Sequence, residues 1–521
     1  MSQDRPARGG HRPETGGRRV GLALGLVVAG LVSYLVLPGP GAPRVRRLGA
    51  NLPVNAGALD RLDVSANNSP VVVANPRHPS DLVVANRAGT PAFSCRLHTS
   101  GDGGSSWAPV AMPQVGRPEV AGCLAPDIAY GPDGTLYLAF TSLGEVPGQG
   151  TVPDALWVAT SGDNGRTFTT PVLASGPLVF HVRLVADPGV SGRLYLTWLQ
   201  ASQTAAAGVT STGNPIVVSR SDDAGATWGP PVPVGAPRRR AMSPAIGVGD
   251  AGELYVAFLD VEDDRLDYTG AHEGRGGDPY PGPWALVASR SKDHGATWAE
   301  VVVETRLTPV QRFITLYPPA PSLAVDRRRH RVYLAFHDGR LRNSDVFLWT
   351  SGDGGRRWAK GRRVNDTSPA DATSQYLPQL AVAEDGRLDV IYNDRRGDPT
   401  DVMTGVSLQS SFDGGTTFTS ALRLSDRDFD SRVGYGAATG LPDLGNRLGL
   451  VSRRSRTLAV WTDTRGGSET IPKQDLAKAV VTFSTPRPFP AVLRWGILLI
   501  GVTGLLGVMI PRRRPRRQAL P

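Results

Sequence analysis

Ser221-Asp-Asp223-Ala-Gly225-Ala-Thr227-Trp228 is one of six copies of a single eight-residue pattern, Ser-x-Asp-x-Gly-x-Thr-aromatic, and its recurrence decides the fold. The other copies run from Ser100 to Trp107, Ser161 to Phe168, Ser291 to Trp298, Ser351 to Trp358 and Ser411 to Phe418. Their spacing of about 60 residues exceeds the ~20–50 of most solenoid repeats and suits a four-stranded propeller blade with one loop insertion. Alternating apolar runs such as Pro215-Ile-Val-Val-Ser-Arg220 lead into the copies, and a further strand-like stretch follows, which puts the motif on a hairpin turn. In such a turn the Ser hydroxyl and Asp carboxylate bond neighbouring backbone amides, the Gly tolerates positive φ, and the aromatic ring returns to the sheet. Asp102, Asp163, Asp223, Asp293, Asp353 and Asp413 therefore read as turn-locking residues. The competing reading, six acids or metal ligands, asks for more catalytic groups than any reaction needs, and no metal or other cofactor is expected.

A second unit precedes the motif: a strand, a tight turn and an apolar strand, clearest in Ala125-Pro-Asp-Ile-Ala-Tyr-Gly-Pro-Asp-Gly-Thr-Leu-Tyr-Leu-Ala-Phe140. It recurs at 69–86, 182–198, 243–258, 321–336 and 377–392, and a seventh copy at 448–463 has no motif after it. The expectation is an all-β, seven-bladed propeller of four-stranded antiparallel blades over residues 65–484. Six blades is the alternative if a terminal unit only completes the ring.

The repeated motif resembles the Asp box, or BNR repeat, of the sialidase-like β-propellers, over residues 65 to 484. The copies at 161, 221, 291 and 411 match at every named position, while Ser106 and Arg357 replace Thr in the other two. The resemblance implies a propeller that binds or hydrolyses glycans, as an exo-α-sialidase does, with a Tyr nucleophile and an Arg triad for the substrate carboxylate. The Arg-Ile-Pro motif that carries one of those arginines is absent, and Asn51-Leu-Pro-Val-Asn55 stands before the first unit instead. Signatures of serine hydrolases, P-loop proteins and HExxH metalloproteases are also absent.

The net charge of +10 lies in the tails. Residues 1–47 carry +6 and residues 485–521 carry +7, which leaves −3 for the span between them, so a nucleic-acid partner is not expected. Two apolar stretches flank the repeats: 20–37, which is uncharged, and 491–510, which is uncharged from Trp495 to Ile510 and extends to Ala491 with Arg494 snorkelling toward the interface. Arginines precede the first and follow the second, so the positive-inside rule expects basic cytoplasmic tails at 1–19 and 511–521 and two membrane helices. A linker at 38–64 then leads to a propeller held outside the cytoplasm of a bacterial cell. A cleaved signal peptide is the alternative for the first stretch. Cys95 and Cys123 are the only cysteines. They suit a disulfide between neighbouring blades in an oxidising exterior or, on the other reading, two buried thiols.

Long loops at 142–154, 200–214 and 260–283 all fall on the face opposite the motif, where binding is expected. On that face Asp-x-Arg recurs as Asp338-Gly-Arg340, Asp394-Arg-Arg396 and Asp463-Thr-Arg465. Arg340, Arg396 and Arg465 are candidates to grip a substrate carboxylate, or else to lock blade to blade through the aspartates. Tyr317, Tyr376 and Tyr435 recur where first strands begin, and Tyr435, Glu262 and Asp127 are the candidate catalytic groups. A glycosidase acting on neutral sugars would instead pair carboxylates from Asp127, Asp260 and Glu262. A non-catalytic propeller that docks envelope proteins is the third possibility. The sequence leaves the partner, glycan or protein, and the oligomeric state open.

Overall fold

The computed structural model describes residues 44–117, 122–205, 208–209, 212–264, 280–310, 318–440 and 442–484. Seven sheets with a four-strand path follow one another, one of them carrying a fifth strand, Phe429–Asp430; five are built from consecutive strands, and a sixth is interrupted only by the short paired strands Thr204–Ala205 and Gly208–Val209. Their innermost strands are Asn67–Ala74, Gly122–Tyr130, Val179–Ala186, Ala241–Val248, Ser322–Asp326, Gln375–Val382 and Gly449–Arg453, and they define blades 1 to 7. The innermost strand of each blade pairs antiparallel with the second strand. The last innermost strand packs against the one in blade 6 and against the one in blade 1, so the unit Arg46–Thr482 closes as a ring.

Closure explains why the seventh repeat lacks a motif. Its third strand, Asp475–Ser484, is covered not by a following strand but by Arg44–Pro53 from the other end of the chain. The amide of Val54 donates to the Leu476 carbonyl, Asn51 Nδ2 donates to the Lys478 carbonyl at 3.2 Å, and the Thr482 hydroxyl donates to the Arg46 carbonyl at 3.4 Å. The span expected as a linker therefore contains the outermost strand of blade 7. The Asn51 segment in place of Arg-Ile-Pro belongs to this strand, where Asn51 also donates to the Leu424 carbonyl of blade 6.

The core lies between blades. Central strands such as Leu136–Val146 and Arg331–Asp338 are buried along most of their length because both faces of each sheet are covered. Trp198, Trp349 and Trp461 are fully buried. Cys95 of blade 1 is disulfide-bonded to Cys123 of blade 2, with a Cα–Cα distance of 5.4 Å. Among the described residues no helix is long and apolar enough to cross a membrane, and the stretches 20–37 and 491–510 lie outside the described residues. Tyr317 and residues 265–279 of the long blade 4 loop also lie outside them.

Candidate functional site

The motif turns sit between third and fourth strands, on the same face as the first-to-second turns, and their polar groups are spent locally. In blade 3, Ser221 Oγ donates to Asp223 Oδ1 at 2.8 Å and accepts from the Gly225 amide at 2.9 Å. Asp223 then accepts from the Thr227 amide at 2.9 Å and from the Thr227 hydroxyl at 2.5 Å. Hydrogen bonds from this Thr side chain and amide hold the Asp223 carboxyl down at about 2. The two departures keep the same bond: Ser106 Oγ donates to Asp102 Oδ2 at 2.6 Å, and Arg357 Nε to Asp353 Oδ2 at 3.1 Å. The motif glycines have positive φ and face the preceding blade. A Cβ on Gly225 would stand 3.1 Å from Val158 Cγ1.

On the opposite face the three Asp-x-Arg guanidiniums are each committed to two carboxylates, one from the same blade and one from the blade before. Arg340 binds Asp338 at 2.5 Å and Glu304 of blade 4 at 2.9 Å. Arg396 binds Asp394 at 2.6 Å and Asp366 at 2.8 Å, and Arg465 binds Asp463 at 2.5 Å and Asp426 at 2.8 Å. This is the geometry of a blade-to-blade lock. Arg238, in the connection from blade 3 to blade 4, reaches two carboxylates of blade 4, Asp260 at 2.7 Å and Glu300 at 2.6 Å. Tyr376 is buried with its hydroxyl 3.1 Å from Thr404 Oγ1. Glu262 follows Asp260 at the start of the blade 4 loop, and its amide donates to Asp260 Oδ1.

A different constellation forms at the axis. In blades 1, 2, 3, 4 and 6 the innermost strand carries an irregularity at the same place, between Asn68 and Val71, Leu124 and Asp127, Phe180 and Arg183, Met242 and Ala245, and Tyr376 and Gln379. Ser69, His181, Ser243 and Leu377 take positive φ within it. A bulge re-aims the following side chain. Val71, Asp127, Arg183, Ala245 and Gln379 accordingly all line one central cavity of about 190 Å³. It adjoins a second cavity of about 110 Å³, and the two share Arg183, Asn446 and Arg447. The second also takes Arg87 from the end of the second strand of blade 1.

Three arginines and one candidate acid thus meet near the axis, from blades 1, 2, 3 and 7. Arg87 pairs with Asp443 at 2.5 Å, and its guanidinium lies 5.8 Å from the Tyr435 ring centroid and 5.6 Å from that of Phe93. Arg447 is buried, donates Nε to the Ser69 carbonyl at 2.9 Å and stands 3.4 Å from Asp127. Asp127 also accepts the amides of Leu184 at 2.9 Å and Ile128 at 3.2 Å. Arg183 forms no ion pair among the described residues, and its Nη1 donates to the Val182 carbonyl at 3.3 Å. Burial pulls Arg447 down to about 10, with Asp127 opposing and Arg183 and Arg87 adding repulsion. Burial also lowers Arg183, against the pull of Asp127. The same burial, helped by Arg183, brings His181 to about 4, so it is neutral at pH 7. Three cations against two carboxylates leave the pocket short of one negative charge.

The fold and pocket together define a seven-bladed β-propeller with an arginine-lined axial site on the face opposite its repeated turns. No protein-family model and no curated protein matches the chain. Solved structures similar to it include a protein of unknown function from Dyadobacter fermentans DSM 18053, at 16% identity and a TM-score of 0.46, covering 85% of this chain and 100% of that one. A Hadza microbial sialidase is similar at 16% identity and a TM-score of 0.42, over 79% and 75% of the two chains. An α-L-arabinofuranosidase from Fusarium graminearum in complex with an iminosugar inhibitor is similar at 14% identity and 0.42, over 72% and 96%. The likeness is distant, and the site is read from this chain's own residues.

Proposed function

We propose that the chain is a membrane-anchored, extracytoplasmic propeller of the sialidase-like, Asp-box kind that binds the acidic group of a glycan in the axial pocket without hydrolysing it. The observation that carries this reading is Arg183, a guanidinium that lines both axial cavities beside Arg447 and, in the smaller one, Arg87, and that forms no ion pair among the described residues. Burying such a charge unpaired is costly, and an anionic ligand removes the cost by charge-assisted hydrogen bonds. Binding without turnover is favoured because the acids are occupied: Asp127 is taken by Arg447 and two amides, and Asp260 by Arg238. Among the described residues Asp127 is the only carboxyl that lines either axial cavity, and Asp443 is held by Arg87, so no free second acid completes a hydrolytic pair there. Anchoring draws on the apolar stretches 20–37 and 491–510 and on the arginines that precede the first and follow the second.

The test is a glycan array probed with the full chain in detergent, with sialylated, uronic-acid and neutral glycans. Acidic glycans are expected to bind, and Arg183→Ala to weaken them about 10–100-fold, the value of one charge-assisted bond of ~1.5–3 kcal/mol, without lowering the melting temperature. Equal retention of neutral glycans would remove the reading. Turnover of a fluorogenic sialoside would return hydrolysis.

A further inference from the structure

The two ends of the ring unit leave it side by side on the motif face. In six blades the third strand runs directly into the repeated turn, and in blade 7 the equivalent strand Asp475–Ser484 runs out toward the chain end instead. The closing strand is antiparallel to it, with Arg46 opposite Thr482. Residues 38–43 and 485–490, six on each side, then separate the paired strands of blade 7 from the apolar stretches, and six residues reach at most about 20–22 Å.

That face is strongly basic across blades 5 and 7. The first-to-second turn of blade 5 is Arg327-Arg328-Arg329-His330, all exposed, and that of blade 7 runs from Arg453 to Arg456. Arg356 and Arg357 protrude from the blade 5 motif. Arg329 is paired with Asp326, Arg453 with Glu384 and Arg357 with Asp353. Arg328, Arg356 and Arg454 form no ion pair among the described residues, although Asp385 and Asp413 lie on the same face. A cleft of about 270 Å³ opens between the turns of blades 5, 6 and 7, lined by Arg327, Arg328 and Arg453 and by two carboxylates, Asp326, which is paired with Arg329, and Glu384, which is paired with Arg453.

We propose that this face lies against an anionic lipid bilayer, with headgroup phosphates entering the cleft between Arg328 and Arg453, so that the axial pocket opens away from the membrane. The proposal rests on the anchoring read above for 20–37 and 491–510, but it adds a contact that anchoring alone does not require. Short tethers at both ends keep the motif face near the headgroups, and each arginine near an anionic surface raises partitioning about fivefold, an effect that salt screens.

The experiment uses the full chain reconstituted into vesicles of phosphatidylcholine alone or with phosphatidylglycerol, carrying a headgroup energy-transfer acceptor. A donor is attached at Ser455→Cys on the motif face or at Glu469→Cys in the loop-face segment of blade 7. Transfer from position 455 should exceed that from 469, rise with phosphatidylglycerol, and return to the neutral-lipid value at high salt or in R328E/R454E. Unchanged transfer at 455 across lipids, or higher transfer at 469, would overturn the proposal. Should the charge-reversed variant misfold, the salt titration of the unreversed chain decides alone. Failure to float with neutral vesicles would defeat the anchoring reading by itself. In that event salt-sensitive flotation with anionic vesicles still supports the basic face, and its absence overturns it. An oligonucleotide that binds while lipid transfer stays flat would assign the surface to nucleic acid instead.

Discussion

Removing Arg387 should open the ring at its last joint. Arg387 and Asp389 of blade 6 are 1% and 0% exposed and form a bidentate pair, with Nε 2.9 Å from Oδ1 and Nη2 2.9 Å from Oδ2. The guanidinium also donates to the carbonyls of Arg453 and Arg454, at 2.9 and 2.8 Å, and to the Thr457 hydroxyl at 3.0 Å, all in blade 7. Asp389 accepts the hydroxyls of Ser410, Ser452 and Thr457. Arg387→Ala leaves a buried carboxylate without its cation and two carbonyls without a donor, which costs about 3–5 kcal/mol for the broken pair. Asp389→Ala should cost a similar amount by stranding the guanidinium. The double variant should cost less than the two singles together, because it strands neither charge. Urea unfolding followed by tryptophan fluorescence measures all three. A single-variant loss below about 1 kcal/mol, or strict additivity, would refute the claim that this pair fastens blade 6 to blade 7.

Three further outcomes follow from the structure. Burial raises Asp475 to about 6, against the Asn55 amide and Lys473, while Asp463 and Asp63 add to the rise. An acid whose folded pKa is raised contributes stability that is full below about 4 and lost as pH rises through about 6. Asp475→Asn should therefore match the unsubstituted chain at pH 4 and exceed it at pH 8 by roughly 1–2 kcal/mol after solvent screening, read as a melting-temperature difference. Gly225→Ala should cost about 1–2 kcal/mol, because φ is +85° and Val158 stands close, whereas Gly162→Ala, with open space around it, should be near neutral in the same melt. Reducing the Cys95–Cys123 bond, which closes a separation of 28 residues, should remove at most about 3–4 kcal/mol, and Cys95→Ser should reproduce that loss without reductant.

The ring was legible because its evidence repeats. Six motif turns and seven strand-turn-strand units carry the same physical demand, a buried two-sided sheet with a locked hairpin, so each copy supports the others. The closing strand lacked that support. Arg44–Pro53 is an outermost strand with alternating intermediate and exposed positions, so its pattern is too weakly apolar to separate it from a linker. Asp127 stood out within the repeat, but Arg183 and Arg447 did not. Their direction depends on a bulge that shifts the pleat, and strict alternation cannot show it. A signal was present: Pro70, Pro126, Pro244 and Pro378 each immediately precede a channel-lining residue, and Val182 holds the same place before Arg183. The Asp-x-Arg repeats were conspicuous in sequence because they repeat. In structure each is consumed by its neighbour, and a function confined to one side of the ring has no need of sevenfold recurrence.

Calorimetric titration of the full chain with a carboxylated glycan and with its methyl ester tests the acidic-pocket reading most directly. Binding of the acid, at least tenfold weaker binding of the ester, and loss of that discrimination in Arg183→Ala is the predicted result. Equal affinity for acid and ester, or discrimination that survives Arg183→Ala, would contradict it.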